Sequence, residues 1–133
     1  EELCQALSFK VNSLGYISDT STMVAAYSCA DLFVIPSLED NLPNTIMESM
    51  ACGTPCVGFE IGGIPEMIDH RVNGYVANYK DAGDLANGIQ WVLEHEDRLA
   101  LSDACVKKVQ ENYTEEVVTK QYTALYEKLL KGE

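Results

Sequence analysis

The feature that most constrains the fold lies between residues 31 and 59. The apolar run Leu32-Phe33-Val34-Ile35 leads into Pro36-Ser37 and an acidic, amide-rich stretch. A helix-forming segment follows from about Pro43 or Asn44 to Cys52, and a second apolar run spans Pro55 to Phe59. Each apolar run is short and bounded by turn residues, which predicts a buried strand. Gly53 sits where a helix C-cap glycine would stand. Two short buried strands joined through one helix are expected to lie parallel, with a right-handed crossover, and to deliver the intervening loop to a sheet edge. Ligand sites of open α/β sheets favour that edge.

The rest of the chain repeats this alternation. Leu3, Leu7 and Phe9 are spaced like the end of an amphipathic helix entering a strand, so the beginning reads as truncated. A weak strand is expected around Val11 to Tyr16. Ser18-Asp19 then supplies an N-cap signal for a helix carrying Met23, Val24, Tyr27 and Cys29. Residues 61–76 combine a Gly62-Gly63 turn, a short helical turn at Pro65 to Ile68, and an Asn73-Gly74 turn into a strand at Tyr75 to Ala77. Beyond it the pattern is helical. Leu85, Ile89, Val92 and Leu93 mark one face, Leu99, Leu101, Val106 and Val109 a second, and Val117, Val118, Tyr122, Leu125, Tyr126 and Leu129 a third. Thr114 is placed to cap the last helix, with Glu115 and Glu116 in its first turn. The expected class is α/β: a Rossmann-like parallel sheet flanked by helices, with terminal helices. Residues 1–112 form one partial domain, and 113–133 form a helix packing back on it or toward a domain the sequence does not contain.

Bulk properties narrow the function. A chain of 133 residues with 47% hydrophobic content can bury one core. Nine basic against twenty-one acidic residues give a net charge of −12, which repels a phosphate backbone and argues against nucleic-acid binding. A single nucleotide remains compatible, since backbone amides and carboxylates can hold it without a basic surface. Cys4, Cys29, Cys52, Cys56 and Cys105 are odd in number and set in apolar surroundings. They read as free, buried thiols of a reduced, cytoplasmic chain, and no metal site is expected from them. No apolar stretch approaches a membrane span and no charged leader opens the sequence, so a soluble chain is expected.

The chemistry-bearing residues lie in the acidic stretch and the helix after it. Asp40 and Glu48 are separated by seven residues. In a helix starting near Pro43, Thr45, Glu48 and Cys52 share one side, while Ile46, Met47, Met50 and Ala51 supply the buried side. A carboxylate has two acceptor oxygens and can take both hydroxyls of a cis-diol, the group a ribose offers. The amides of Asn41 to Thr45 include the open N–H groups of a helix start, which favour a diphosphate, and Pro43 suits the first turn because its missing N–H sacrifices nothing there. Attraction of the helix end for an anion contributes only ~0.3 to 1 kcal/mol when exposed. Hydrogen bonds to a charged group contribute ~1.5 to 3 kcal/mol each, so the carboxylate should dominate. Acids near a helix start also stabilise the helix by themselves, so spacing alone does not make a site.

The whole string PSLEDNLPNTIMESMACGTPCVGF, residues 36–59, resembles the donor-sugar site of the retaining GT-B glycosyltransferases, in particular the large family 4 group. That group's signature is an acidic residue, seven residues, then Glu. GYISDTSTMVAAYSCADLFVIPS is similar to the preceding strand and helix of the family, GGIPEMIDHRVNGYVA to its following turn and strand, and YTEEVVTKQYTALYEKLL to its terminal helices. The resemblance implies the C-terminal half of a GT-B glycosyltransferase, with Glu48 on the ribose of a UDP- or GDP-sugar and Thr45 beside it at the nucleotide and diphosphate. It places Asp40, Asn41, Leu42, Pro43 and Asn44 at the donor sugar. It implies a retaining hexosyl transfer in surface-polysaccharide or glycoconjugate synthesis, with no cofactor and no metal. The acceptor, a glycan or lipid-linked sugar, would be bound by an N-terminal domain absent from this sequence, and the full-length protein would associate peripherally with the inner face of the membrane.

Two departures from the family pattern are visible. The first acidic position is Asp40 where many members carry Glu, and Glu39 adjoins it, so a shift by one residue stays open. Asn41-Leu42-Pro43-Asn44 replaces the usual glycine-rich turn. The family's Arg/Lys pair for the diphosphate has no match here, because Lys10 sits at the wrong place. No catalytic set is therefore complete in this chain, and the chain by itself is expected to be inactive. A sugar epimerase or phosphorylase of the same fold would need a different carboxylate pattern or a cofactor lysine. The non-enzymatic alternative is a flavodoxin-like or receiver-like interaction module. His70 and His95 read as solvated, Trp91 as core, Gly62-Gly63 as a tight turn or a close approach to ligand, and Glu66 as a helix cap.

Overall fold

The computed structural model describes residues 8–132. In chain order it contains α1 (Thr20–Ser28), β1 (Phe33–Ile35), α2 (Asn44–Ala51), β2 (Cys56–Phe59), α3 (Ile64–Met67), β3 (Gly74–Ala77), α4 (Ala82–Leu93), α5 (Arg98–Asn112) and α6 (Glu115–Lys131). The strands form one parallel sheet in the order β1-β2-β3, with Phe33 opposite Cys56 and Cys56 opposite Gly74. All three carboxyl ends therefore lie on one edge, where the loops after Ile35, Phe59 and Ala77 meet.

Strand alternation divides the core between the two faces of the sheet. Ile35 and Cys56 point to one face and pack with Ile46 and Met50 of α2, Ile64 and Met67 of α3, and Cys105 of α5. Val57, Phe59, Tyr75 and Ala77 point to the other, against Val92 of α4 and Leu101 of α5. Helices on both faces of a parallel sheet are the expected α/β architecture. Aspartate and threonine caps fix the helix starts: Asp19, Asp81, Asp97 and Thr114 each accept a backbone N–H from the first turn.

Helix α2 keeps to its expected bounds within a residue at each end. Pro43 is its N-cap, in extended conformation, so its missing N–H lies just outside the first turn. Cys52 is the C-cap and Gly53 follows with φ +76°, where a Cβ would stand 2.3 Å from Ser102 Oγ of α5. The buried side consists of Ile46, Ser49 and Met50, with Met47 half-buried and Ala51 exposed. Ser49 is tolerated there because its hydroxyl donates to the Thr54 carbonyl at 3.1 Å.

Other expectations shift as well. Val11 to Tyr16 form no strand: the segment makes no ladder with β1, Gly15 takes φ +64°, and Val11, Leu14 and Tyr16 are exposed. A strand is held by its neighbours, and β1 offers this segment an edge only three residues long. The expected helix end at Leu3 and Leu7, together with Cys4, lies outside the described residues. Cys29 is exposed, Cys52 half-buried, and Cys56 and Cys105 buried, all as free thiols. Trp91 is only half-buried, with its ring set against Tyr75 and His95. His95 is likewise half-buried, while His70 is exposed. Glu66 lies in the first turn of α3 but makes no capping bond. Leu99 and Leu93 point outward. In α6 only Val117 and Val118 of the expected apolar face are half-buried, and Tyr122, Leu125, Tyr126 and Leu129 stand clear.

Candidate functional site

The loop from Pro36 to Pro43 leaves the carboxyl end of β1 and enters α2, and the two neighbouring loops hold it. Gly63 N–H donates to the Asn41 carbonyl at 2.5 Å, and the Tyr79 hydroxyl, just past β3, donates to the Leu38 carbonyl at 3.0 Å. Gly62 has φ +54°, and a Cβ on it would lie 1.7 Å from the Asp40 carbonyl oxygen; on Gly63 it would lie 2.3 Å from that of Asn41. The glycine pair is thus a backbone-to-backbone seat for the acidic loop, a role its reading as a turn did not separate from direct ligand approach.

Within the loop Asp40 is half-buried and Glu39 exposed. Pro43 is buried, whereas Asn41, Leu42, Asn44 and Thr45 are exposed. The N-cap provides no side-chain acceptor, and Ile46 N–H bonds the Pro43 carbonyl at 3.1 Å, so the first-turn amides of Asn44 and Thr45 carry no side-chain cap.

Thr45 and Glu48 together line a cleft of about 440 Å³. Its walls are largely apolar: Leu14 and Ile17 from the segment before α1, Met23, Ala26 and Tyr27 from α1, and Phe33 of β1. Glu48 is half-buried, and its Oε2 accepts a hydrogen bond from the Tyr27 hydroxyl at 3.3 Å. Burial, then the adjacent Glu48 charge and hydrogen bond, push the Tyr27 hydroxyl up to about 12, which keeps it a neutral donor. The cleft sets largely apolar walls together with one carboxylate, a lining that suits a ligand with an apolar part joined to a polyhydroxyl part.

Asp40, Asn41, Leu42, Pro43 and Asn44 do not line this cleft. They occupy the sheet edge at the entrance to α2, so the sequence-predicted residues fall into two groups. One is a cleft group of Thr45 and Glu48, and the other an edge group of Asp40 to Asn44. Sequence reasoning missed the cleft's other wall. Tyr27 stands 21 positions from Glu48, with no local pattern linking them. Tyr79 was missed for the same reason. Leu14 to Tyr16 fall within the expected strand and Ile17 just beyond it, although Gly15 between two apolar residues signals a turn.

The family model described as "Glycosyl transferases group 1" matches residues 1–95. The N,N'-diacetylbacillosaminyl-diphospho-undecaprenol alpha-1,3-N-acetylgalactosaminyltransferase of Campylobacter jejuni is 30% identical over 131 residues, 97% of this chain and 35% of that protein. Among solved structures, the sucrose-phosphate synthase of Thermosynechococcus elongatus superposes with a TM-score of 0.82 at 29% identity, covering 99% of this chain and 34% of that one. The Anabaena protein HepE in complex with UDP and glucose superposes with a TM-score of 0.74 at 22% identity, covering 86% and 31%. The chain spans about a third of the length of the curated relatives it matches.

Proposed function

Because the chain belongs to the glycosyl transferases group 1 family, we propose that it is the donor-binding, C-terminal part of a retaining GT-B glycosyltransferase and that its ligand is a nucleotide sugar. The observation that carries this reading is the largely apolar cleft that Glu48 and Thr45 line. A base fits its apolar chamber, a ribose diol meets the two oxygens of Glu48, and a diphosphate leads past the uncapped amides of Asn44 and Thr45 toward the edge group. The sugar then falls beside Asp40, Asn41, Leu42, Pro43 and Asn44. That HepE, a neighbour in fold, holds UDP and glucose is in keeping with such a donor.

In the full-length protein the anomeric carbon of the donor leaves the diphosphate oxygen and bonds an acceptor hydroxyl, whose proton is released as the nucleoside diphosphate departs. The acceptor is a glycan or lipid-linked sugar held by an N-terminal domain, in surface-polysaccharide or glycoconjugate synthesis at the cytoplasmic face of the membrane. No metal or cofactor enters this scheme. The chain supplies donor recognition and, by itself, is proposed to bind donor without transferring it. Family membership leaves no support for the interaction-module alternative.

Calorimetric titration with UDP, GDP and their sugars tests the reading. Wild type is expected to bind one nucleotide series, and Glu48→Ala to weaken it roughly tenfold to a hundredfold. Identical affinities of wild type and variant for every nucleotide that binds would remove Glu48 from the ribose.

A further inference from the structure

Tyr27 forms part of the same cleft and is held more firmly than its place on a short helix requires. Its ring lies edge-on to Phe33, with centroids 5.6 Å apart and planes at 87°. Its backbone carbonyl accepts from Thr54 Oγ1 at 2.7 Å, tying the end of α1 to the turn before β2. The ring walls both the 440 Å³ cleft and an adjoining groove of about 300 Å³ lined by Thr20, Met23, Val24 and Cys52, and Glu48 is common to both. From this fixed position the hydroxyl reaches Glu48 Oε2.

A half-buried glutamate on a helix face has three side-chain torsions to settle, and ordering them on ligand binding costs affinity. A donor fixed by its own packing settles them beforehand. We propose that Tyr27 is a positioning residue for Glu48: its hydroxyl holds Oε2, sets the side-chain rotamer, and leaves Oε1 and the open lone pair of Oε2 facing the cleft for the two ribose hydroxyls. A carboxylate offers about four acceptor sites, so the tyrosine and a diol can be accommodated together. The raised Tyr27 pKa keeps the donor protonated at every pH where the nucleotide would be used. The inference rests on the reading of Glu48 as the ribose ligand, and the test separates the two.

Titrate wild type, Tyr27→Phe, Glu48→Ala and the double variant with whichever of UDP and GDP binds, and with its 2′,3′-dideoxy analogue. Tyr27→Phe keeps the ring, the Phe33 contact and the carbonyl that Thr54 uses, so its thermal unfolding should match wild type. The expected result is a loss of about two- to tenfold for the ribonucleotide, no change for the dideoxy analogue, and no further loss when Tyr27→Phe is added to Glu48→Ala. An equal loss for both ligands would mark Tyr27 as mere wall, and an unchanged ribonucleotide affinity with Glu48→Ala still impaired would overturn the positioning role alone. If Glu48→Ala is without effect, or neither nucleotide binds, the ribose reading and the inference fall together.

Discussion

At the scale of single residues, the Tyr27–Glu48 pair makes a prediction that needs no ligand. Burial is the largest cause of the raised Tyr27 pKa, and the Glu48 charge is next. Glu48→Gln removes the charge and leaves the burial, so Tyr27 should ionise at lower pH than in wild type yet still above the ordinary tyrosine value of 10.0. Tyrosinate absorbance, with Tyr27→Phe as the blank, checks this. An unchanged titration would mean that the hydroxyl and carboxylate do not meet in solution. Glu48 stood out in the sequence because the surrounding string carries a family pattern; a carboxylate near a helix start also stabilises the helix and does not mark a site by itself. Its partner was not legible: Tyr27 sits on a helix of low amphipathic contrast, and only tertiary packing of α1 on α2 brings the two together. The sequence leaves the choice between Glu39 and Asp40 open, and in the fold Asp40 is the more buried of the two.

At the scale of elements, the acidic loop owes its shape to backbone contacts, and its stability can be separated from that of α2. Gly63→Ala places a methyl against the Asn41 carbonyl and the Leu42 side chain. It should displace the loop and weaken a nucleotide sugar more than the bare nucleotide, because the edge group moves while the Glu48 cleft stays; parallel titrations with both ligands check this. Equal weakening would show that the loop and the cleft are one unit. By contrast Ile46→Ala empties a fully buried site between α2 and the sheet. It should cost about 2 to 5 kcal/mol in urea denaturation, by lost burial plus the cavity left behind. The βαβ core from Leu32 to Phe59 was legible because each element carries its own period and cap. Val11 to Tyr16 were not, because a strand's pattern says nothing about whether a neighbour is present to complete its ladder. The exposed apolar side of α6 shows the same limit: periodicity identifies the face and leaves its partner unspecified.

At the scale of the whole molecule, the packed sheet face that holds Cys56 and Cys105, and the half-buried Tyr27 of α1, contain groups that resist ionisation. Cys56 and Cys105 are pushed by burial from 9.0 up to about 12, and Tyr27 from 10.0 to about 12. Between pH 9 and about 12 the unfolded chain therefore releases protons that the native chain keeps, so stability is full below pH 9 and declines as pH rises through that window. Denaturation midpoints across the window should fall, and Cys56→Ala should flatten the decline; a flat wild-type profile would contradict the buried thiols. No helix among the described residues is long and apolar enough to cross a membrane. In the proposed reading, the carboxyl edge of the parallel sheet organises function, with nucleoside in the cleft at Glu48 and sugar at the loop. The most direct test of that arrangement is a crystal structure of the chain with the nucleotide it binds. The account predicts ribose hydroxyls within hydrogen-bond distance of the Glu48 carboxylate and the base enclosed between Leu14, Ile17 and Tyr27, and a nucleotide seated anywhere else, with Glu48 untouched, would contradict it.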